Sequence, residues 1–225
     1  MIAMNEFIDI FSSSDPENVA TSVQLLLLLT VFSLAPGILI LMTSFTRIII
    51  VLSFTRTSLA TQQMPPNQLL VGLALFMTFF IMAPTFSDIN EQALTPLLDE
   101  EINIEEAYER ASTPIKLFMA DHTRERDLAL FLNYVDSPEI EAVEDIPLTA
   151  LVPAFAISEL KTAFTMGFMI FIPFLVIDMT VASVLMSMGM MMLPPVMISL
   201  PFKVLLFVLV DGWYLISEAL LSSFN

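Results

Sequence analysis

Hydropathy patterning constrains this chain more than any other feature. Four apolar runs, Val23–Met42, Leu69–Phe86, Leu151–Leu185 and Val196–Leu221, stand on either side of one long acidic stretch. About 20 apolar residues span the hydrocarbon core of a bilayer as a helix. A soluble domain carries roughly 25% charged residues, whereas this chain of 225 residues carries 14%, with 56% hydrophobic residues. The pattern predicts an all-α integral membrane protein.

Punctuation within the runs sets the organisation. Pro36-Gly37 interrupts the first run and is expected to kink it, because proline removes a backbone donor. A shorter apolar stretch, Ile48 to Phe54, lies between Arg47 and Arg56 and is too short to cross alone. Pro65-Pro66 marks a turn, so residues 22–86 read as a first apolar helical hairpin behind an acidic tail, 1–21. Residues 151–225 read as a second hairpin whose connection, 186–195, is rich in Met, Gly and Pro. Residues 87–150 differ sharply, with sixteen acidic side chains against four basic ones. Within them Ile115, Leu117, Phe118, Leu128, Leu130, Phe131 and Leu132 recur at helical spacing, as in short amphipathic helices of a water-facing lobe.

Arg47 and Arg56, taken as loop residues of the first hairpin, place that loop in the cytoplasm and the acidic lobe outside. The Met1–Asn5 start has no basic residue and runs into polar sequence, unlike a secretory signal peptide. With no Cys, disulfide and thiolate chemistry are excluded. His122 is the only histidine and is expected to be solvated; no cofactor or metal is implied. A formal net charge of -16 argues against nucleic acid as a partner.

Ionisable residues inside apolar segments are costly and mark functional sites. At about 100° per residue, Lys203, Asp211 and Glu218 share one roughly 80° face if the last run is a single helix. Lys203 and Asp211 are then about 12 Å apart along the axis, too far to pair directly. Asp178 and Asp211 are expected to be buried charges. Glu159 and Lys161 point to different sides of a helix, which leaves Glu159 with Lys203 as the preferred pair. The Met cluster (Met186, Met188, Met190, Met191, Met192 and Met197) surrounds Gly189 and Pro194-Pro195. Flexible thioethers can seal a hole and yield to irregular cargo; ordinary packing in a hairpin turn is the plainer alternative. No catalytic constellation or Gly-rich phosphate loop is present.

Four segments carry a resemblance: Met42–Met82, Pro153–Phe168, the Met loop and Leu200–Trp213. Their QQMPPNQ and PFK…DGW stretches resemble the FliP family of flagellar type III export-gate proteins and its injectisome counterpart, SctR. Thr165 departs from the family's usual charged or amide residue, and both the tail and the acidic lobe match only loosely. The resemblance implies a homo-pentamer that joins Q and R subunits in a helical pore complex, docked to the B and A export proteins. It further implies a place in the flagellar basal body at the bacterial inner membrane, hairpins lifted largely out of the bilayer plane, passage of unfolded flagellar subunits and no enzymatic activity. By position the family's pore gasket falls on Met190, Met191 and Met192, and its inter-subunit contacts fall on Phe118, Phe131, Glu159 and Lys203. The alternative is a small-solute or ion transporter using Asp178, Asp211 and Lys203 as a relay.

Overall fold

The structure, a computed structural model, describes residues 16–61, 63–135, 142–190 and 192–224. It is all-α, with no strand among the described residues. The helices are α1 (Pro16–Met42), α2 (Phe45–Ser58), α3 (Asn67–Ile81), α4 (Ala83–Ile89), α5 (Thr95–Leu98), α6 (Ile104–Asp121), α7 (Glu125–Leu132), α8 (Leu148–Ser187), α9 (Pro195–Leu209) and α10 (Gly212–Ser222). A π-helical segment, Asn90–Leu94, joins α4 to α5, and a 3-10 turn, Val143–Asp145, precedes α8. The expected acidic tail falls partly outside the described residues, as do Asp136, Glu139 and Glu141.

Two compact units divide the chain, Met1–Ile40 and Leu41–Asn225. The first holds most of α1, which runs helically through Pro36 and leaves Leu26, Leu29, Phe32 and Ile38 exposed. Thr30 keeps its hydroxyl satisfied by donating to the Leu26 carbonyl at 2.8 Å, the usual way a polar side chain rides on an apolar helix.

In the second unit α8 is the spine. Its 40 residues make it long and apolar enough to cross a membrane. Against it lies α2, whose buried Ile48, Val51, Leu52, Thr55 and Ser58 follow the spacing of one helix face. The opposing positions on α8 are small: Ala154, Ser158, Ala163 and Gly167 are all buried. Small residues let two helix backbones approach closely where lipid supplies no hydrophobic drive. At Gly167 the space is taken by Phe54 of α2, since a Cβ there would stand 2.5 Å from Phe54 Cγ.

Two of the four runs are not single helices. After Ile81 the chain bends by 58°, with Pro84 in the first turn of α4, where a missing N–H costs least. The helical path continues beyond Phe86 through the π segment to Leu98, so apolar hairpin and acidic segment are not separated by a loop at residue 87. The last run bends by 62° between α9 and α10. Asp211 takes the left-handed conformation there (φ 52). The next residue must be glycine, because a Cβ on Gly212 would lie 2.3 Å from Phe207 Cε2.

The acidic segment packs onto α8 and shares a core with it. Met119, Ile146, Leu151 and Phe155 form that core, with Ile115, Phe118, Leu128 and Leu132 against it. Leu117 and Leu130, part of the same helical spacing, are exposed. Ser158 of α8 ties α7 down: it accepts from the Arg124 backbone N–H at 3.1 Å and donates to Asp127 Oδ2 at 2.7 Å. That hydrogen bond, helped by the charges of Arg124 and Lys161 and opposed by burial, holds the Asp127 carboxyl below its ordinary value of 3.8.

Two outcomes follow for stability. Gly167→Ala should destabilise the detergent-solubilised chain by about 1–3 kcal/mol through overpacking, with Phe54→Ala recovering part of the loss in thermal melts. Asp127 has its carboxyl lowered on folding, so its contribution is fully present above 3.8 and is lost as pH falls through the folded value. The melting-temperature gap between wild type and Asp127→Asn should therefore close on acidification; a gap independent of pH would contradict this.

Candidate functional site

Arg47 lies in the first turn of α2 and is buried. Its Nε donates to Glu159 Oε2 at 2.8 Å, and its Nη2 donates to Glu159 Oε1. Nη1 reaches the end of the chain, donating to the Ser223 carbonyl at 2.7 Å and to Ser223 Oγ at 2.9 Å. The guanidinium also lies over the Phe224 ring, 3.8 Å from its centroid. This planar fork suits bidentate carboxylate recognition, which Lys cannot reproduce. One side chain thus joins α2, α8 and the residues after α10.

An aromatic cluster surrounds the pair. Phe118 packs near Phe155 and stacks with Phe224, and the His122 ring sits 4.7 Å from Phe118 and 5.1 Å from Phe224. His122 Nδ1 is 2.8 Å from the Phe118 carbonyl oxygen. Neither Arg47 nor His122 is where the sequence reading put it. Arg47 is a buried helical residue, so it no longer serves as a topology signal, and His122 is packed against rings.

A second ion pair stands further along α8. Lys203 of α9 donates from Nζ to Asp178 Oδ2 at 2.6 Å and to the Ser58 carbonyl at 3.2 Å. Asp178 Oδ1 accepts from Ser199 Oγ at 2.5 Å. Ser58 is the last residue of α2, where free carbonyls and the helix dipole favour a cation.

Within the chain, Glu159 and Lys203 do not pair with each other. Glu159 and Asp178 are 19 residues apart on one helix, or about 28 Å, and Lys203 is level with Asp178. Both former candidates are buried in the single chain, Glu159 at 0% and Lys203 at 2% exposure, each with its own partner. Asp178 is partly buried, its side chain 25% exposed. Asp211, read as a buried charge, is exposed at the bend. The bend also overturns the shared face of Lys203, Asp211 and Glu218, which presupposed one continuous helix. Of the residues suggested for a relay, Asp178 and Lys203 pair with each other and Asp211 stands at the bend.

The Met loop forms where α8 ends. Gly189 turns the chain with φ 77, and Pro195 opens α9. Met192 is 99% exposed and Met190 42%, while Met186, Met188 and Met197 are also exposed. Met191 lies outside the described residues. Phe118 and Phe131 are half-buried on α6 and α7.

Breaking a buried pair by removing one partner costs about 3–5 kcal/mol. Glu159→Ala should thus destabilise the chain by that order, and Arg47→Ala with Glu159→Ala should cost far less than the sum of the two. The same double-mutant cycle on Glu159 and Lys203 should show coupling near zero. Strong coupling between Glu159 and Lys203, read from melts in detergent, would overturn the observed pairing.

The chain is similar to known proteins over most of its length. The sequence profile of the FliP family matches residues 28–220. The flagellar biosynthetic protein FliP of Bacillus subtilis (strain 168) is 76% identical over 98% of this chain and 100% of its own length. That of Pectobacterium carotovorum subsp. carotovorum is 55% identical over 90% of this chain and 79% of its own, and that of Aquifex aeolicus (strain VF5) is 49% identical over 92% and 88%. A match of this extent, with an α8 suited to a membrane, shows that the chain belongs to the FliP family of flagellar biosynthetic proteins.

Proposed function

We propose that this chain is a pore-forming core subunit of the flagellar type III export gate, conducting unfolded flagellar subunits across the bacterial inner membrane without enzymatic chemistry of its own. The observation that carries this reading is the Met loop. Side chains packed in a hairpin turn would be buried against its helices, yet Met192 is almost wholly exposed and Met190 half so. Exposed apolar tips on a turn that Gly189 permits through its positive φ, and that Pro195 ends by opening α9, are suited to meet their equivalents from other copies around an axis.

A ring of that kind meets two opposed demands. It must pass a chain with bulky and charged side chains, yet hold back ions when idle. Thioethers fill the empty hole and change rotamer when cargo arrives, and an apolar constriction blocks ions by excluding water. Met190 and Met192, with Met191 between them, are the proposed gasket.

The remaining parts of the proposal concern assembly. The chain forms a homo-pentamer, joins Q and R subunits and docks with the B and A export proteins in the basal body, with its acidic segment extracytoplasmic. Phe118 and Phe131, half-exposed on α6 and α7, are subunit contacts. Glu159 and Lys203 contribute to that surface from inside, by fixing α8 against α2 and α9. Extensive apolar exposure on α8 and α9, including Phe168, Phe202 and Val208, supports burial against other chains.

Replacing Met190, Met191 and Met192 together with Ala should make cells leak ions or small molecules while complex abundance stays normal. Leu substitutions, apolar but stiffer, should seal better than Ala. A membrane-permeability assay with complex abundance measured in parallel decides the matter: normal abundance with an intact barrier would falsify the gasket, and loss of complex without leakage would return the loop to a packing role.

A further inference from the structure

Six of the eight basic side chains have partners within the chain: Arg47 with Glu159, Arg56 with Asn67, Arg110 with Glu106, Lys116 with the Glu144 carbonyl, Arg124 with Asp127 and Lys203 with Asp178. The other two, Arg126 and Lys161, converge with Arg124 on one hollow of about 570 Å³ between α7 and α8, with Asp127 and Asn133 also in its wall. Asp127 is already committed, at 2.5 Å from Arg124 Nη2 and hydrogen-bonded to Ser158. Arg126 and Lys161 make no hydrogen bond or ion pair among the described residues, and the Arg124 Nε is enclosed without a partner. An enclosed N–H without an acceptor is costly, and three cations around one carboxylate leave an excess positive charge.

We infer that this hollow receives a carboxylate side chain from a second copy of the chain. A carboxylate offers the negative charge that the exposed Arg126 and Lys161 require. The source follows from charge. With 24 acidic residues against 8 basic ones, every copy has carboxylates to spare. Glu105 and Glu109, one turn apart near the start of α6, are exposed, and their carboxylates make no hydrogen bond or ion pair among the described residues; their neighbour Glu106 is taken by Arg110. Docking the acidic start of α6 from one copy into the basic hollow of the next brings opposite fields together and sets the register between copies. It also relieves a local positive excess inside a strongly acidic protein.

This contact rests on the homo-oligomeric reading above, and the test keeps the two apart. Detergent-extracted oligomer, assembled from isotope-labelled and unlabelled copies, is treated with a carbodiimide, which joins an amine to a carboxylate it touches. The expected product is an amide between Lys161 Nζ and an acidic residue of α6 in mixed-isotope peptides. In parallel, Arg126→Glu with Lys161→Glu changes two surface side chains and should leave the helical circular dichroism intact. It should raise the dissociation constant of the oligomer by about ten-fold or more, and Glu105→Lys with Glu109→Lys in the same chain should restore assembly. A wild-type chain that stays monomeric overturns the homo-oligomeric reading and this contact with it. A wild-type oligomer that shows no mixed-isotope link at Lys161, and that the charge reversal leaves intact, overturns the contact alone. Loss of bound anionic phospholipid in the reversed variant, with assembly unchanged, assigns the hollow to a lipid headgroup and equally overturns it.

Discussion

The Arg47–Glu159 pair is the constraint on which the rest of the structure depends. Two charges taken out of water are tolerable only when geometry and extra hydrogen bonds repay the desolvation. Here the guanidinium meets Glu159 twice, caps the chain end through Ser223 and lies over Phe224. Satisfying all of these at once fixes the register of α2 on α8 and brings the end of α10 back to the start of α2. To get there, α10 must turn away from α9, which is what the left-handed Asp211 and the bare backbone of Gly212 permit. The bend and the ion pair are thus parts of one solution.

Lys203 and Asp178 repeat this logic at the other end of α2. The lysine lies among the Ser58 carbonyl and Asp178, and Ser199 occupies the second carboxylate oxygen. Both ends of one 14-residue helix are clamped by charge, and between them it is packed by Ile48, Val51 and Leu52. Apolar packing alone would tolerate a slide of α2 by one turn along the small residues of α8. Two separated ion pairs do not, because a slide of about 5.4 Å would unpair both. Specificity of register is the best-supported role for buried charge, and it suits a chain whose outer surface is too uniformly apolar to define a register itself.

Much of this was legible in the sequence. Run length marked the helical segments, Pro65-Pro66 marked the turn after α2, and Gly189 with Pro194-Pro195 marked the end of α8. The cost of charge in apolar surroundings marked Glu159, Asp178 and Lys203 as residues needing partners. Which partner each takes was not legible. Arg47 and Glu159 are 112 residues apart, and no local spacing joins them. Helical-wheel reasoning failed at Asp211 for a related reason: it assumes a continuous helix, and a left-handed residue followed by glycine resets the phase. The amphipathic pattern of the acidic segment shows only that one face is covered. The pattern is silent on what covers it, which is α8 in this chain.

The same physical chemistry sets the two ends of α8 apart. Near its start the helix is enclosed by α2, α6 and α7, with ion pairs, aromatic contacts and the Ser158–Asp127 link holding each neighbour. Toward its end it carries Met179, Val184, Met186 and Met188 exposed and finishes in the Met loop. Aromatic contacts, the Arg47–Glu159 pair and the Ser158–Asp127 link fix the first half of α8, while its second half keeps one ion pair, Asp178–Lys203, beside exposed thioethers. In the proposed gate the first half would serve as the frame and the adaptable methionines as the seal.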